Sequence, residues 1–276
     1  MRQHTPLRCE AVTFLRGDSL RKLCRSICLH PTVCAAVRAD AGAVSRQFKP
    51  SIRRAEHRCE TYAIKGQMAD AATRARHLCD FLEVATHTIL KERNLYPAEI
   101  FSDKRCFGVP VSIARHPEVE TYIKKTLRAV EPLLASGSVE AVVIAVMDGT
   151  HGEPVEKFVF RVDPTGPPPS DAVGGPHDVA DAVESTEYSL RALLARLALL
   201  ETKLPPVRED AAWRLLLWMR EGYDASQILA DPAAARLVDA TRDLSAAQIK
   251  DSSLVPVKTV ATPLAHFELY VECEGP

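Results

Sequence analysis

The arrangement of apolar residues predicts an α+β domain, with helices packed on an antiparallel sheet. Three observations carry this. Helical periodicity recurs in three stretches after residue 70. A branched, apolar run at 139–148 is followed, after a five-residue turn, by an alternating run at 154–162. The chain then closes with two further extended pieces, Leu254–Ala261 and His266–Glu272.

The first helix is expected from Thr73 to Asn94. Leu78, Phe81, Leu82, Val84, Ala85 and Ile89 form one broad apolar face, with Asp80, Glu83, Lys91, Glu92 and Arg93 around the rest. Tyr96-Pro97 ends it, because a residue before proline avoids the helical region. His77 and His87 lie on or near this helix without further ligand types close in sequence, so they read as core or surface histidines. Residues 98–115 are expected to form a loop with one short extended run, Val109-Pro110-Val111. His116-Pro117-Glu118 opens a second helix, with proline and an acid in its first turn. Val119, Tyr122, Ile123, Thr126, Leu127, Val130 and Leu134 make its buried stripe, and Ser136-Gly137 stops it.

Val139–Asp148 is too short and too branched for a helix and reads as a buried strand. Pro154–Val162 alternates, with Val155, Lys157, Val159 and Arg161 on one face and Glu156, Phe158, Phe160 and Val162 on the other. Asp148-Gly149-Thr150-His151-Gly152 holds residue types that catalysis uses, but a hairpin turn needs Gly and Asp for its own geometry. Residues 163–177 form a Pro/Gly-rich linker. A third helix is expected from Asp178 to Lys203, carried by Val179, Val183, Leu190, Leu193, Leu194, Leu197 and Leu200, and closed by Pro205-Pro206. Trp213–Met219 is a strand, and Gly222–Asp251 is polar, alanine-rich and weakly patterned.

Charge divides the chain. Over all 276 residues the net charge is −1, which argues against a whole-protein electrostatic grip on nucleic acid. Residues 1–67 carry 13 Lys/Arg against 5 Asp/Glu, a net of +8, while residues 68–276 carry 22 against 31, a net of −9. Five of the eight cysteines also lie in the first segment. The other three, Cys79, Cys106 and Cys273, are too scattered for a disulfide framework, so a reducing, intracellular compartment is expected. No run of about 20 apolar residues is present, which excludes a membrane-spanning helix.

Residues 1–67 admit three readings: a disordered tail or translated sequence ahead of the true start, a transit peptide, and a zinc site. Met68-Ala69-Asp70 resembles a natural N-terminus, which favours the first. Cys24, Cys28, His30 and Cys34 are zinc-ligand types, but a paired C-x2-C is missing. The organised domain is therefore expected over residues 68–276. It carries no phosphate-binding loop, dinucleotide fingerprint, metalloprotease helix or nucleophile elbow. No catalytic residue, metal ligand or cofactor is assigned, and a binding module is favoured over an enzyme.

Several short stretches are more specific. They are Cys79-Asp80-Phe81-Leu82-Glu83-Val84-Ala85-Thr86-His87, Tyr96-Pro97 with Ile100-Phe101, and Val109-Pro110-Val111 through His116-Pro117-Glu118. Pro154-Val155-Glu156-Lys157-Phe158-Val159-Phe160, Leu254-Val255-Pro256-Val257-Lys258-Thr259 and Leu269-Tyr270-Val271-Glu272 complete the set. In this order and spacing the chain resembles the HORMA-domain accessory subunits of DNA polymerase zeta, B-type paralogues of the spindle assembly checkpoint HORMA protein. The resemblance runs over about residues 73–276 and is weak between 205 and 250.

That resemblance implies three helices on an antiparallel sheet, with a core over about 73–220 and a C-terminal "safety belt" over about 221–276. It implies a nuclear, non-enzymatic adaptor of translesion DNA synthesis in the DNA damage response, without a cofactor. A proline-containing segment of the polymerase zeta catalytic subunit would lie beside a sheet edge under the belt. The second partner would be the deoxycytidyl transferase scaffold. A HORMA-remodelling ATPase and a second HORMA domain are further implied partners; membranes and sequence-specific nucleic acid are not.

Carried onto this sequence, the resemblance gives Tyr122 and Tyr96 to the trapped segment. Leu254, Glu268 and Tyr270 fall to the scaffold transferase, and Arg191 to HORMA pairing. Each also has a plainer reading: a core tyrosine, strand packing, a solvated helix charge. Glu268 stands where the family often has glutamine, and a carboxylate cannot donate as an amide does. The family's belt tryptophan has no counterpart placed in 222–251, so Ile228, Leu229 and Leu237 are the candidate apolar anchors. Two alternatives stay open: a checkpoint or meiotic HORMA adaptor trapping other peptides, and a zinc-dependent nucleic-acid-binding protein acting through the N-terminal extension.

Overall fold

The computed structural model describes residues 71–149, 151–162, 176–220, 249, 251–262 and 266–275. It describes the backbone alone at 12–15, 17–18, 21–22, 24–28 and 237–239, and at 176–180 and 182–183 within that range. Among the described residues the helices are α1 (Ala71–Glu92), α2 (Pro117–Ala135) and α3 (Pro176–Leu197). Four short strands precede them: β1 (Val12–Leu15), β2 (Gly17–Asp18), β3 (Arg21–Lys22) and β4 (Cys24–Cys28). The domain itself contributes β5 (Phe101–Cys106), β6 (Val109–Ala114), β7 (Val139–Met147), β8 (Pro154–Val162) and β9 (Ala212–Met219). They are followed by β10 (Leu237–Asp239), β11 (Ser252–Ala261) and β12 (His266–Glu274).

The main sheet runs β10-β1-β9-β7-β8-β12-β11, with β4 also paired to β9. From β9 to β11 every pairing is antiparallel. β5 and β6 form a separate hairpin. Helix α1 lies between the two layers. Phe81, fully buried on α1, meets Phe160 of β8 at 6.3 Å and Phe267 of β12 at 5.5 Å on the sheet side, and Phe107 of the hairpin turn at 6.0 Å on the other.

Two-sided cover explains why α1 is buried continuously from Val84 to Leu90 rather than along a single stripe. Most polar groups in that run have local partners, the His87 Nε2 being the one buried without a hydrogen bond. Thr86 and Thr88 donate to the carbonyls of Leu82 and Val84, one turn back, at 2.6 and 2.9 Å. His87 Nδ1 accepts the Ala114 N–H of β6 at 3.4 Å. Burial holds the His87 imidazole well below its usual range, at about 4, so it is neutral at physiological pH. Past the end of α1, Arg93 is clamped by Glu156 of β8, with Nε to Oε2 at 2.9 Å and Nη2 to Oε1 at 2.6 Å. Nη2 also donates to the Pro205 carbonyl. Both side chains are almost fully buried, so this fork ties helix, sheet and the segment before β9 together.

The sheet is apolar on both faces. Val142, Ile144, Val146, Phe158, Phe160, Trp213, Leu215, Leu217, Phe267, Leu269 and Val271 face the helices. Ala141, Val143, Ala145, Met147, Val159, Ala212 and Leu216 form a second buried cluster, with Trp218 and Tyr270 packed on it. A strand buried on both faces shows no alternation, which is how 139–148 reads in the sequence.

The structure changes three expectations. Residues 98–115 are not a loop with one extended run. They form a 3-10 turn at Ala98–Ile100 and the complete β5–β6 hairpin. Strand β5 carries Ser-Asp-Lys-Arg between its buried ends, Phe101 and Cys106, so its pattern is that of a solvated edge. The third helix ends at Leu197 rather than Lys203. A 3-10 turn at Leu200–Thr202 follows it and keeps Leu200 in the core. In the second helix Leu133 is buried and Leu134 only half-buried.

Candidate functional site

Two groups of residues stand out. The first lies beneath β9. Trp213, on the helix-facing side of that strand, is almost fully buried. Its indole N–H donates to the Tyr96 hydroxyl at 3.1 Å. Tyr122 of α2 meets the same indole edge-to-face at a centroid distance of 5.5 Å and an interplanar angle of 86°. Tyr96 and Tyr122, both given to the trapped segment by the resemblance, thus converge on one side chain of β9, the last strand of the antiparallel part of the sheet. Trp213 is the residue sequence reasoning missed here. A buried indole needs an acceptor, and that requirement was its signal.

The two margins of the antiparallel part of the sheet differ in what they offer another strand. On the β11 side, Pro256 lacks a backbone N–H, and the register shifts between Pro256 and Lys258. The Val257 carbonyl inside that bulge is taken by Arg196 Nη1 at 2.6 Å. Proline and a bulge are the usual means of closing an edge to further pairing. On the other side, β9 pairs with β7 from Ala212 to Met219 and contains no proline.

The second group is the outward face of β11, β12 and β8. The antiparallel register aligns Leu254 with Glu272 and Lys157, Pro256 with Tyr270 and Val159, and Thr259 with Glu268 and Arg161. Leu254, Tyr270 and Glu268 therefore share one surface. Leu254 is 64% exposed, unusual for so large an apolar side chain, and Glu268 is exposed. Tyr270 is half-buried, and burial, reinforced by Glu272, pushes its phenol up to about 12. Its hydroxyl is thus a proton donor throughout the physiological range. Lys157, nearly fully buried, anchors the row through Glu272 at 3.3 Å.

Arg191 of α3 donates from Nε to the Phe107 carbonyl at 2.8 Å. Phe107 and Gly108 both have positive φ, and a Cβ on Gly108 would sit 3.1 Å from the Arg191 guanidinium. The arginine thus braces the β5–β6 turn while its side chain stays 40% exposed. Ile228 and Leu229 lie outside the described residues, and Leu237 is described only as backbone of β10. Of the zinc-type residues, Cys24 and Cys28 are described as backbone in β4, and His30 and Cys34 lie outside the described residues. Among the described residues no cluster of three His, Cys, Asp or Glu side chains could hold a metal, and no helix is long and apolar enough to cross a membrane.

Three helices against an antiparallel sheet, the first of them covered by a small hairpin, with the C-terminal hairpin docked on the sheet, define a class of α+β domain. The chain belongs to the HORMA-domain family, whose model matches residues 76–226. It is 33% identical over 201 residues to the mitotic spindle assembly checkpoint protein MAD2B of Bos taurus, covering 71% of this chain and 88% of that protein. It is 28% identical over 200 residues to the DNA polymerase zeta processivity subunit of Schizosaccharomyces pombe, covering 70% and 89%. A chain in the crystal structure of the mitotic checkpoint complex shares the fold with a TM-score of 0.58 at 19% identity, over 74% of this chain and 99% of that one. The resemblance read from the sequence is thereby supported by both sequence and fold.

Proposed function

We propose that the chain is a non-catalytic adaptor of translesion DNA synthesis, acting in the nucleus. It traps a proline-containing segment of the polymerase zeta catalytic subunit and bridges it to the deoxycytidyl transferase scaffold. One observation carries the reading: Tyr96 and Tyr122 meet on Trp213 beneath β9, the margin strand of the antiparallel sheet that contains no proline. An extended segment added there gains main-chain hydrogen bonds that tolerate many sequences, and the aromatic group supplies selectivity. The similarity to a polymerase zeta processivity subunit supports the choice of partner.

The bridging role draws on the second group. Leu254 gives an apolar anchor, Tyr270 a protonated hydroxyl, and Glu268 an acceptor where an amide would also donate. A basic or N–H donor group on the scaffold fits that carboxylate.

The test is calorimetry and dissociation kinetics of the full chain with proline-containing segments of the same organism's catalytic subunit. Tyr122→Ala, checked for folding by circular dichroism, is the control. Tight binding with slow release, weakened by the substitution, is the expected result. No binding by folded protein overturns the polymerase assignment, and checkpoint or meiotic peptides are then the ones to try.

A further inference from the structure

We infer that the chain carries its own occupant for the β9 margin: the strand Val12–Leu15 of the basic N-terminal extension lies there in cis, and a partner segment must displace it. This rests on the reading of β9 as the peptide seat. Strand β1 is parallel to β9, with Thr13 opposite Leu216, Phe14 opposite Leu217 and Leu15 opposite Trp218. On its other side it is parallel to β10, with Val12 opposite Leu237 and Phe14 opposite Asp239. Because β10 belongs to the C-terminal belt region, β1 is flanked by the sheet margin and by the belt at once. That is the place an added peptide strand would take.

Three further features fit. Val-Thr-Phe-Leu is composed of strand-favouring residues, and the stretch has no proline to interrupt a ladder. The extension carries +8 and the remainder of the chain −9, so the two attract. The 55 residues between Leu15 and Ala71 tether the strand to the domain. A tether of that kind gives an effective concentration on the order of mM, enough for a four-residue strand of modest intrinsic affinity to fill the seat. Strand β4 has an antiparallel register to the same edge, Cys24 opposite Trp218 to Cys28 opposite Arg214. One margin seats one strand at a time, so the extension holds two segments for a single seat, β1 centred on Leu217 and β4 on Leu216.

A seat filled in cis lowers a partner's apparent affinity by the unfilled fraction, about ten-fold if the seat is open a tenth of the time. The extension is then a threshold on partner capture.

The test is hydrogen exchange by mass spectrometry on the unliganded full chain, alone and with Thr13→Pro plus Ser26→Pro. Each proline removes a backbone donor within its paired segment. The expected result is protection at 12–15 and 212–219 in the parent chain, with exchange at 212–219 rising about ten-fold in the double variant. Exchange at 12–15 and 24–28 at the free-chain rate, with 212–219 unchanged by the prolines, would overturn the inference. Protection lost on about twenty-fold dilution would also overturn it, by assigning the strand to a second copy. A second arm adds the polymerase segment and expects about ten-fold tighter apparent binding by the double variant. Failure to bind in that arm counts against the partner, whereas the exchange arm reads the cis strand with no partner present.

Discussion

If the proposed trapped segment is released by the β11–β12 hairpin leaving β8, Phe267→Ala should speed that release. Phe267 is 2% exposed, aligned with Val162 across the β12–β8 ladder and packed at 5.5 Å on Phe81 of α1. Truncating a buried phenylalanine costs about 3–5 kcal/mol, the sum of lost transfer energy and the cavity left behind. If the hairpin is fully undocked at the opening transition state, that cost falls on the closed state alone and lowers the opening barrier by the same amount. At about 1.36 kcal/mol per decade, release accelerates by roughly two to four orders of magnitude, an upper bound reached only if none of the contact persists in the transition state. The assay is a chase experiment with labelled peptide, paired with hydrogen exchange over 266–274. Faster exchange at 266–274 with an unchanged release rate would refute the reasoning, because the segment would then leave without the hairpin undocking.

Three further outcomes are expected. His87 is neutral and buried, and its folded-state value of about 4 lies below the ordinary 6.5. Its contribution is therefore present above pH 6.5 and lost as pH falls toward 4, about 3 kcal/mol in all; urea titrations should show His87→Leu flattening that pH dependence. Arg93→Ala leaves Glu156 buried without its partner and should cost about 3–5 kcal/mol in the same titrations, far more than an exposed pair would. Leu254→Ala should leave stability within about 0.5 kcal/mol, since the side chain is 64% exposed, while weakening capture of the scaffold transferase's C-terminal domain in a pull-down.

How far the sequence could be read depended on whether local pattern or tertiary contact decided each element. In β8 the period of two separated Phe158 and Phe160 from Val159 correctly, because each face meets a different cluster. In β5 the same reasoning failed: Asp103, Lys104 and Arg105 look like a loop, and pairing with β6 makes them a strand. Helix α1 showed its sheet-facing stripe but not its second buried side, since Thr86 and Thr88 hide their polarity in bonds to their own helix. Tyr122 was legible as a stripe residue. Its contact with Trp213 was not, because that depends on β9 lying beside α2, a juxtaposition 91 positions apart in the chain. Leu254 and Tyr270 were placed by resemblance, and the β11–β12 register brings them together on adjacent strands as diagonal neighbours on one face.

The same register gives the C-terminal hairpin two distinct faces, and under the proposed function both are used. Inward, Phe267, Leu269, Val271 and Cys273 hold it to the core. Outward, Leu254, Tyr270 and Glu268 lie in register with β8, where Arg161 is exposed while Val159 and Lys157 are buried beneath the row. That outer surface is whole only while β12 is paired with β8. Undocking the hairpin parts Glu272 from Lys157 and Tyr270 from Val159. A ligand that prefers the whole surface therefore stabilises the docked hairpin, by the reciprocity that couples any two sites sharing one conformational equilibrium. Scaffold bound outside should slow release of a segment held at β9. A trapped segment that keeps the hairpin docked should, by the same factor, tighten scaffold binding.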